Sequence, residues 1–189
     1  MFNQVLLFLF DILVQPFAVI LLLRFHLQWL RAPLRNPLGE FIMALTNFLV
    51  LRARRFLPSV KGLDSATLLL ALVAEMLYLT GYVWAQGIPL QGFPALGLML
   101  LAMVKLLKIS VYLLMVAVFA QAILSWINPY TLIAPLLAAI TQRFLQPLRQ
   151  VIPMIGSVDL SALALIIICQ LILIVPIGML ESTAMSLNF

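Results

Sequence analysis

Apolar residues run almost unbroken through four stretches of this chain, and between them lie two stretches where polar residues return at helical spacing. The unbroken stretches are Val5–Leu30, Asp64–Ala85, Leu106–Ile127 and Asp159–Glu181. Each supplies the roughly 20 residues that a helix rising about 1.5 Å per residue needs to cross about 30 Å of hydrocarbon. The pattern of the third reaches back to Ala95, which predicts a helix longer than the membrane is thick, with Lys105 and Lys108 marking where it leaves the hydrocarbon. Pro16 and Pro176 predict kinks in the first and fourth spans, tolerated inside a packed bundle.

The two intervening stretches, Leu38–Leu57 and Leu132–Ile152, read differently. Leu38, Phe41, Ile42, Leu45, Phe48 and Leu49 recur at helical spacing in the first, and Leu136, Ile140, Phe144, Leu148 and Val151 in the second. Glu40, Asn47, Arg54 and Arg55, or Gln142, Arg143, Gln146 and Arg149, fill the other sides. Both are expected to be amphipathic helices in the interface plane, the second kinked at Pro147.

Composition sharpens this. Of 189 residues 65% are hydrophobic and 9% charged, and the mean hydropathy is +1.20. A soluble domain carries about 25% charged residues, so the bilayer must solvate most of this chain. The formal charge of +5 would favour nucleic acid in a soluble protein. Here the cations flank apolar runs, where they report topology, and no nucleic-acid partner is expected. A single cysteine, Cys169, reads as a small buried hydrophobe and permits no disulfide within the chain. No cation precedes the first apolar run and Asp11 interrupts it, so that run is expected to remain as a span rather than serve as a signal peptide.

The two halves repeat. Thr46-Asn47 aligns with Thr141-Gln142, Arg54 with Arg149, Leu57-Pro58 with Ile152-Pro153 and Asp64 with Asp159, all at an offset of 95. Upstream, Gln28-Trp29 aligns with Ser125-Trp126 at an offset of 97. Each copy holds two spans and so starts and ends on one side, which makes the copies parallel rather than inverted. The expected fold is therefore an all-α membrane protein with four transmembrane and two interfacial helices in two same-orientation tandem repeats, 1–85 and 97–189, joined by an outer loop at 86–96. Arg31, Arg35, Arg52, Arg54, Arg55 and Lys61 lie between spans one and two, and Arg143 and Arg149 between three and four. By the positive-inside rule the amphipathic segments are cytoplasmic and both termini periplasmic; Lys105 and Lys108 dissent.

The set Ser125-Trp126-Ile127-Asn128-Pro129, then Gln146-Pro147-Leu148-Arg149-Gln150-Val151-Ile152-Pro153, then Asp159 resembles the YggT (YlmG) family. A weaker version stands in the first half as Gln28-Trp29, Asn36-Pro37, Arg54-Arg55-Phe56-Leu57-Pro58 and Asp64. The resemblance implies a small multi-pass protein of the bacterial inner membrane, linked to osmotic tolerance or membrane organisation. Plastid relatives are associated with haem attachment to a cytochrome b. It brings no catalytic residue. In the second half the family's Arg before the Trp is replaced by Gln121.

Glu75 is the residue richest in candidate chemistry. It lies eleven residues after Asp64, about 16 Å into the hydrocarbon, where a carboxylate needs a partner. Arg24, seven residues before Arg31, is about 10 Å deep from the same side. In the second copy these become Gln121 and Gln170, and a paired replacement is what contact would produce, since losing one charge strands the other. The expected contacts are Arg24 with Glu75 and Gln121 with Gln170. Polar groups fixing helix register, a proton or ion relay, and a Glu75 that is protonated or paired otherwise all remain open.

Asp64 and Asp159 each precede a span and read as N-caps, with an ion site as the alternative. Arg52, Arg54, Arg55, Lys61, Arg143 and Arg149 form a basic cytoplasmic rim, read as contact with anionic lipid headgroups or as a dock for an acidic protein. Trp29 and Trp126 read as interfacial anchors. His26 is the only histidine; a haem or metal site would need a second strong ligand from Met, Cys169 or a carboxylate, so no cofactor is expected and a haem role would be that of a chaperone. No Ser/His/Asp set, Walker loop, HExxH or cysteine pair is present. Two functions follow: a non-enzymatic protein that organises or assembles membrane components, with a membrane-protein partner or as a homo-oligomer, or a small ion or solute channel or carrier.

Overall fold

A computed structural model describes residues 2–57, 63–87, 95–128, 130–152 and 159–186. Among them are six helices: α1 (Asn3–Trp29), α2 (Pro37–Ala53), α3 (Ser65–Ala85), α4 (Ala95–Ile127), α5 (Ala134–Val151) and α6 (Leu160–Ser186). Four of them, α1, α3, α4 and α6, are long and apolar enough to cross a bilayer. The chain is a multi-pass all-α membrane protein. Lys61, Pro58, Pro129, Pro153 and most of the loop expected at 86–96 lie outside the described residues.

The spans begin and end where local chemistry dictates. Asn36 caps α2, its side chain accepting from Gly39 N at 2.9 Å, with Pro37 preset for the first turn. Asp64 and Asp159 stand at the N-caps of α3 and α6. α1 closes in a Schellman motif, with Ala32 N bonded to Leu27 O (2.8 Å) and Arg31 N to Gln28 O (3.1 Å). That motif puts Arg31 at φ 53°, in the left-handed region usually given to glycine.

Both outermost spans contain a π turn, at Phe10–Val14 in α1 and Leu173–Ile177 in α6. Pro16 and Pro176 have no N–H for the carbonyl four residues back, and the helical ladder widens beside each of them. In α1 the wider loop is closed by Gln15 N on Phe10 O. α5 runs on through Pro147.

α1 packs most extensively on α3, and α4 on α6; α4 also touches α1, α3 and α5 and so joins the halves. Fully buried Ala18 on α1 and Ala66 and Ala71 on α3 let that hairpin close tightly. Val50 of α2 joins Leu21 and Ala74 in one core cluster, while Leu145 of α5 joins Val118 and Cys169 in another. These are positions 95 or 97 apart.

The intervening helices differ from the amphipathic expectation in one respect. α2 lies along the side of α1, with the Phe48 ring 6.0 Å from that of Phe17, twelve residues inside the end of the span. Ile42, Thr46 and Val50 face inward, yet Phe41, Leu45, Phe48 and Leu51 are exposed on the other side. With hydrocarbon as the neighbour, an outward apolar face carries no penalty.

Candidate functional site

Two kinds of polar contact recur in both halves. The first ties a span to the helix that follows it. Arg24 is 2% exposed, and its Nη1 donates to Thr46 Oγ1 (2.6 Å) and Asn47 Oδ1 (2.9 Å) of α2. The Thr46 hydroxyl in turn donates to Ile42 O (2.6 Å). In the other half the Thr141 hydroxyl of α5 donates to Gln121 Oε1 of α4 and lies 2.9 Å from Leu137 O.

These contacts correct the expected pairings. Arg24 does not meet Glu75, and Gln121 meets Thr141 rather than Gln170, which is exposed. Residue count along a helix sets depth, whereas direction around the axis decides the partner, and Arg24 points toward α2. Glu75 is fully buried on α3 with neither carboxyl oxygen hydrogen-bonded. A bond left unmade by so buried a group is costly. Lys105 of α4 is the cation whose field reaches it.

The second recurrent contact is a clamp on the capping aspartates. Arg54, just past α2, forms an ion pair with Asp64 at 2.6 Å. The Thr67 hydroxyl also donates to Asp64, and Thr67 N approaches it at 3.4 Å. Gln28 completes the arrangement when its amide nitrogen faces Asp64 Oδ2 (2.7 Å) and its oxygen Arg54 (3.2 Å). Burial works against the Asp64 carboxylate, but the bonds from Arg54 and Thr67 and the Arg54 charge outweigh it and hold its pKa below the ordinary aspartate value. In the second half Arg149 pairs with Asp159 at 2.7 Å, and Ser161 N donates to that carboxylate at 3.0 Å. Burial again opposes, and the Arg149 and Ser161 contacts again prevail to lower the pKa.

A third cluster ties α4 to α6: Lys105 and Lys108 reach the two oxygens of Glu181 at 2.7 and 2.6 Å. Nearby in the bundle, Tyr78 donates to Asp11 at 2.8 Å. Sequence reasoning assigned the two lysines only to the edge of the hydrocarbon. The readable signal was that they share a helix face three residues apart, with one acid at the matching distance along the last span.

Of the basic rim, Arg52, Arg54, Arg55, Arg143 and Arg149 are exposed; Lys61 lies outside the described residues. Trp29 is 42% exposed and Trp126 69%, and the Arg143 guanidinium sits 5.7 Å from the Trp29 ring centroid. His26 Nδ1 is committed to Leu22 O at 2.7 Å. The braces, clamps and lysine–glutamate cluster hold helices against one another; among the described residues none of these contacts sets a nucleophile beside a base.

The model of the CCB3/YggT family matches this chain twice, at residues 3–84 and 100–180. The chain belongs to that family. Its CCB3/YggT relatives include an uncharacterized protein of Pseudomonas aeruginosa, 30% identical over 90% of this chain and 87% of its own length. Another, from the proC 3′ region of Vibrio alginolyticus, is 32% identical over 85% of this chain and 86% of its own. The YggT protein of Escherichia coli K12 is 27% identical over 87% and 85% respectively. No solved structure matches.

Proposed function

We propose that this CCB3/YggT protein is a non-enzymatic component of the bacterial inner membrane that organises or assembles other membrane components, in keeping with the osmotic-stress role its family resemblance implies. One observation carries the reading. Glu75 apart, the polar side chains described above tie the bundle's own helices together, Arg24 to α2, Gln121 to α5 and both lysines of α4 to Glu181. The outward residues of α2, among them Phe41 and Phe48, remain as a broad apolar face for neighbours.

Within this reading the halves 1–85 and 97–189 are parallel tandem repeats joined by 86–96. The repeated braces and clamps, and the double match of the family model, support it. The cation distribution supports a cytoplasmic side for α5 and for the ends of α2, and periplasmic termini. Arg52, Arg54, Arg55, Lys61, Arg143 and Arg149 then face anionic headgroups, each attracted by about 1 kcal/mol, with Trp29 and Trp126 as anchors.

Photo-crosslinking from positions 41 and 48 in cells is expected to capture a specific membrane protein or a second copy of this chain, and cysteines at 54 and 149 are expected to be labelled only from the cytoplasm. Crosslinks to lipid alone would remove the assembly role. A second reading, a small channel or carrier, draws on Glu75, the buried carboxyl with no hydrogen bond. Ion flux in reconstituted vesicles above that of empty ones, abolished by Glu75→Gln, would replace the first reading with this one.

A further inference from the structure

Two cavities lie side by side at the C-terminal end of α1, sharing Trp29 and Leu30 as walls. One, of about 590 Å³, lies between α1, α4, α5 and α6 and is walled by side chains such as Leu23, Leu113, Leu136, Phe144 and Ile172. His26 and Ser110 also face it, but each is bonded to its own helix, to Leu22 O at 2.7 Å and Leu106 O at 2.8 Å. Water would find few partners there. The other cavity, of about 540 Å³, is lined by Gln28, Arg31, Leu63, Ala139 and Arg143.

Arg31 and Arg143 differ from the other cations at this end. Arg54 and Arg149 are matched by Asp64 and Asp159, whereas among the described residues no carboxylate of the chain pairs with Arg31 or Arg143. Arg143 rests on the Trp29 ring instead. Arg35, Arg52 and Arg55 are exposed too, yet line neither cavity.

We infer that the two adjacent cavities together seat one anionic phospholipid, its phosphoryl headgroup between Arg31 and Arg143 and an acyl chain passing Trp29 into the apolar groove. Guanidinium groups match phosphate oxygens in charge and geometry. A soluble phosphate would leave the groove empty, and a zwitterionic lipid would leave the arginines without a net counter-charge. The site is a seat for a single molecule, distinct from general attraction to the leaflet, and does not depend on the assembly role.

Trp29 reports on it directly. With Trp84 and Trp126 replaced by Phe, Trp29 is the only tryptophan of the three. The protein is reconstituted in phosphatidylcholine vesicles holding a minor, equal mole fraction of brominated phosphatidylglycerol or brominated phosphatidylcholine. Quenching of Trp29 by the anionic lipid is expected to exceed that by the neutral one severalfold. Arg31→Gln with Arg143→Gln should remove the excess, while Arg52→Gln with Arg55→Gln should leave it. Ser110→Phe, which fills the groove and keeps both charges, should lower it as well, and so guards against misfolding of the arginine variant. Equal quenching by the two lipids, or an excess that survives both the arginine and the Ser110 changes, overturns the assignment. Reversal by soluble glycerol phosphate also overturns it, in favour of a free phosphate.

Discussion

In the α1–α3 half the capping carboxylate, Asp64, has a side chain 6% exposed and is held by Arg54, Thr67 and Gln28. Its counterpart in the α4–α6 half, Asp159, is 23% exposed and is held by Arg149 and one backbone N–H. The braces differ in the same sense: a buried guanidinium with two acceptors in the first half, one neutral amide in the second. The same joint is thus made with charge on one side and nearly without it on the other. What the position requires is a donor or acceptor aimed at the threonine of the next helix, and the extra charge of the first half adds strength at the cost of vulnerability.

The largest expected effect follows from removing the clamps. Asp64→Ala should destabilise by roughly 2–3 kcal/mol, since a cap and a charge-assisted bond are lost while the exposed side of Arg54 limits the total. Asp159→Ala should cost about 1 kcal/mol. Unfolding in mixed micelles, followed by circular dichroism, compares them, and equal losses would mean that burial and Gln28 contribute nothing.

Acid should expose the same asymmetry. Both aspartates have folded pKa values below the ordinary one of about 3.9. Their stabilisation is therefore complete above that pH and is lost as pH falls through the lowered folded values. Stability should be flat from about pH 7 to 5 in the part these groups control, and Asp64→Asn should flatten more of the acid limb than Asp159→Asn.

For the braces, Arg24→Leu should cost about 2 kcal/mol by leaving Thr46 and Asn47 without their donor. Arg24→Gln, which imitates Gln121, should cost under about 1 kcal/mol. A glutamine as harmful as leucine would break the equivalence of the halves. The smallest effect is at Arg31: glycine there should gain about 0.5–1 kcal/mol by relieving the left-handed backbone. At its counterpart Asn128, bonded to Leu124 O at 2.9 Å in ordinary helical fashion, glycine should gain nothing.

The sequence displayed much of this arrangement. Unbroken apolarity marks the spans because a bilayer leaves a helix few alternatives, and an aspartate before a span declares a cap by its reach to free N–H groups. The offset of 95 placed Thr46 opposite Thr141 and Arg54 opposite Arg149. Hidden from it was which way each polar side chain turns. Arg24 and Glu75 are near enough in depth but differ in direction, so the joint replacement by Gln121 and Gln170 marked no contact; the partner is Thr46, which the second half keeps as Thr141. Lys105, Lys108 and Glu181 meet across helices far apart in the chain, and α2 sinks along α1 because its outer face is as apolar as its inner one.

The π turn at Phe10–Val14 has a bearing on insertions and deletions. One residue turns a regular helix by about 100° and lifts it by about 1.5 Å. The N-terminal eight residues of α1 are therefore phased by a surplus residue, and this phase lets the Asn3 amide reach Ala85 O at 3.0 Å. Deleting one residue between 10 and 14 would swing that segment around the axis and point Asn3 elsewhere, while leaving every contact from Arg24 inward in place.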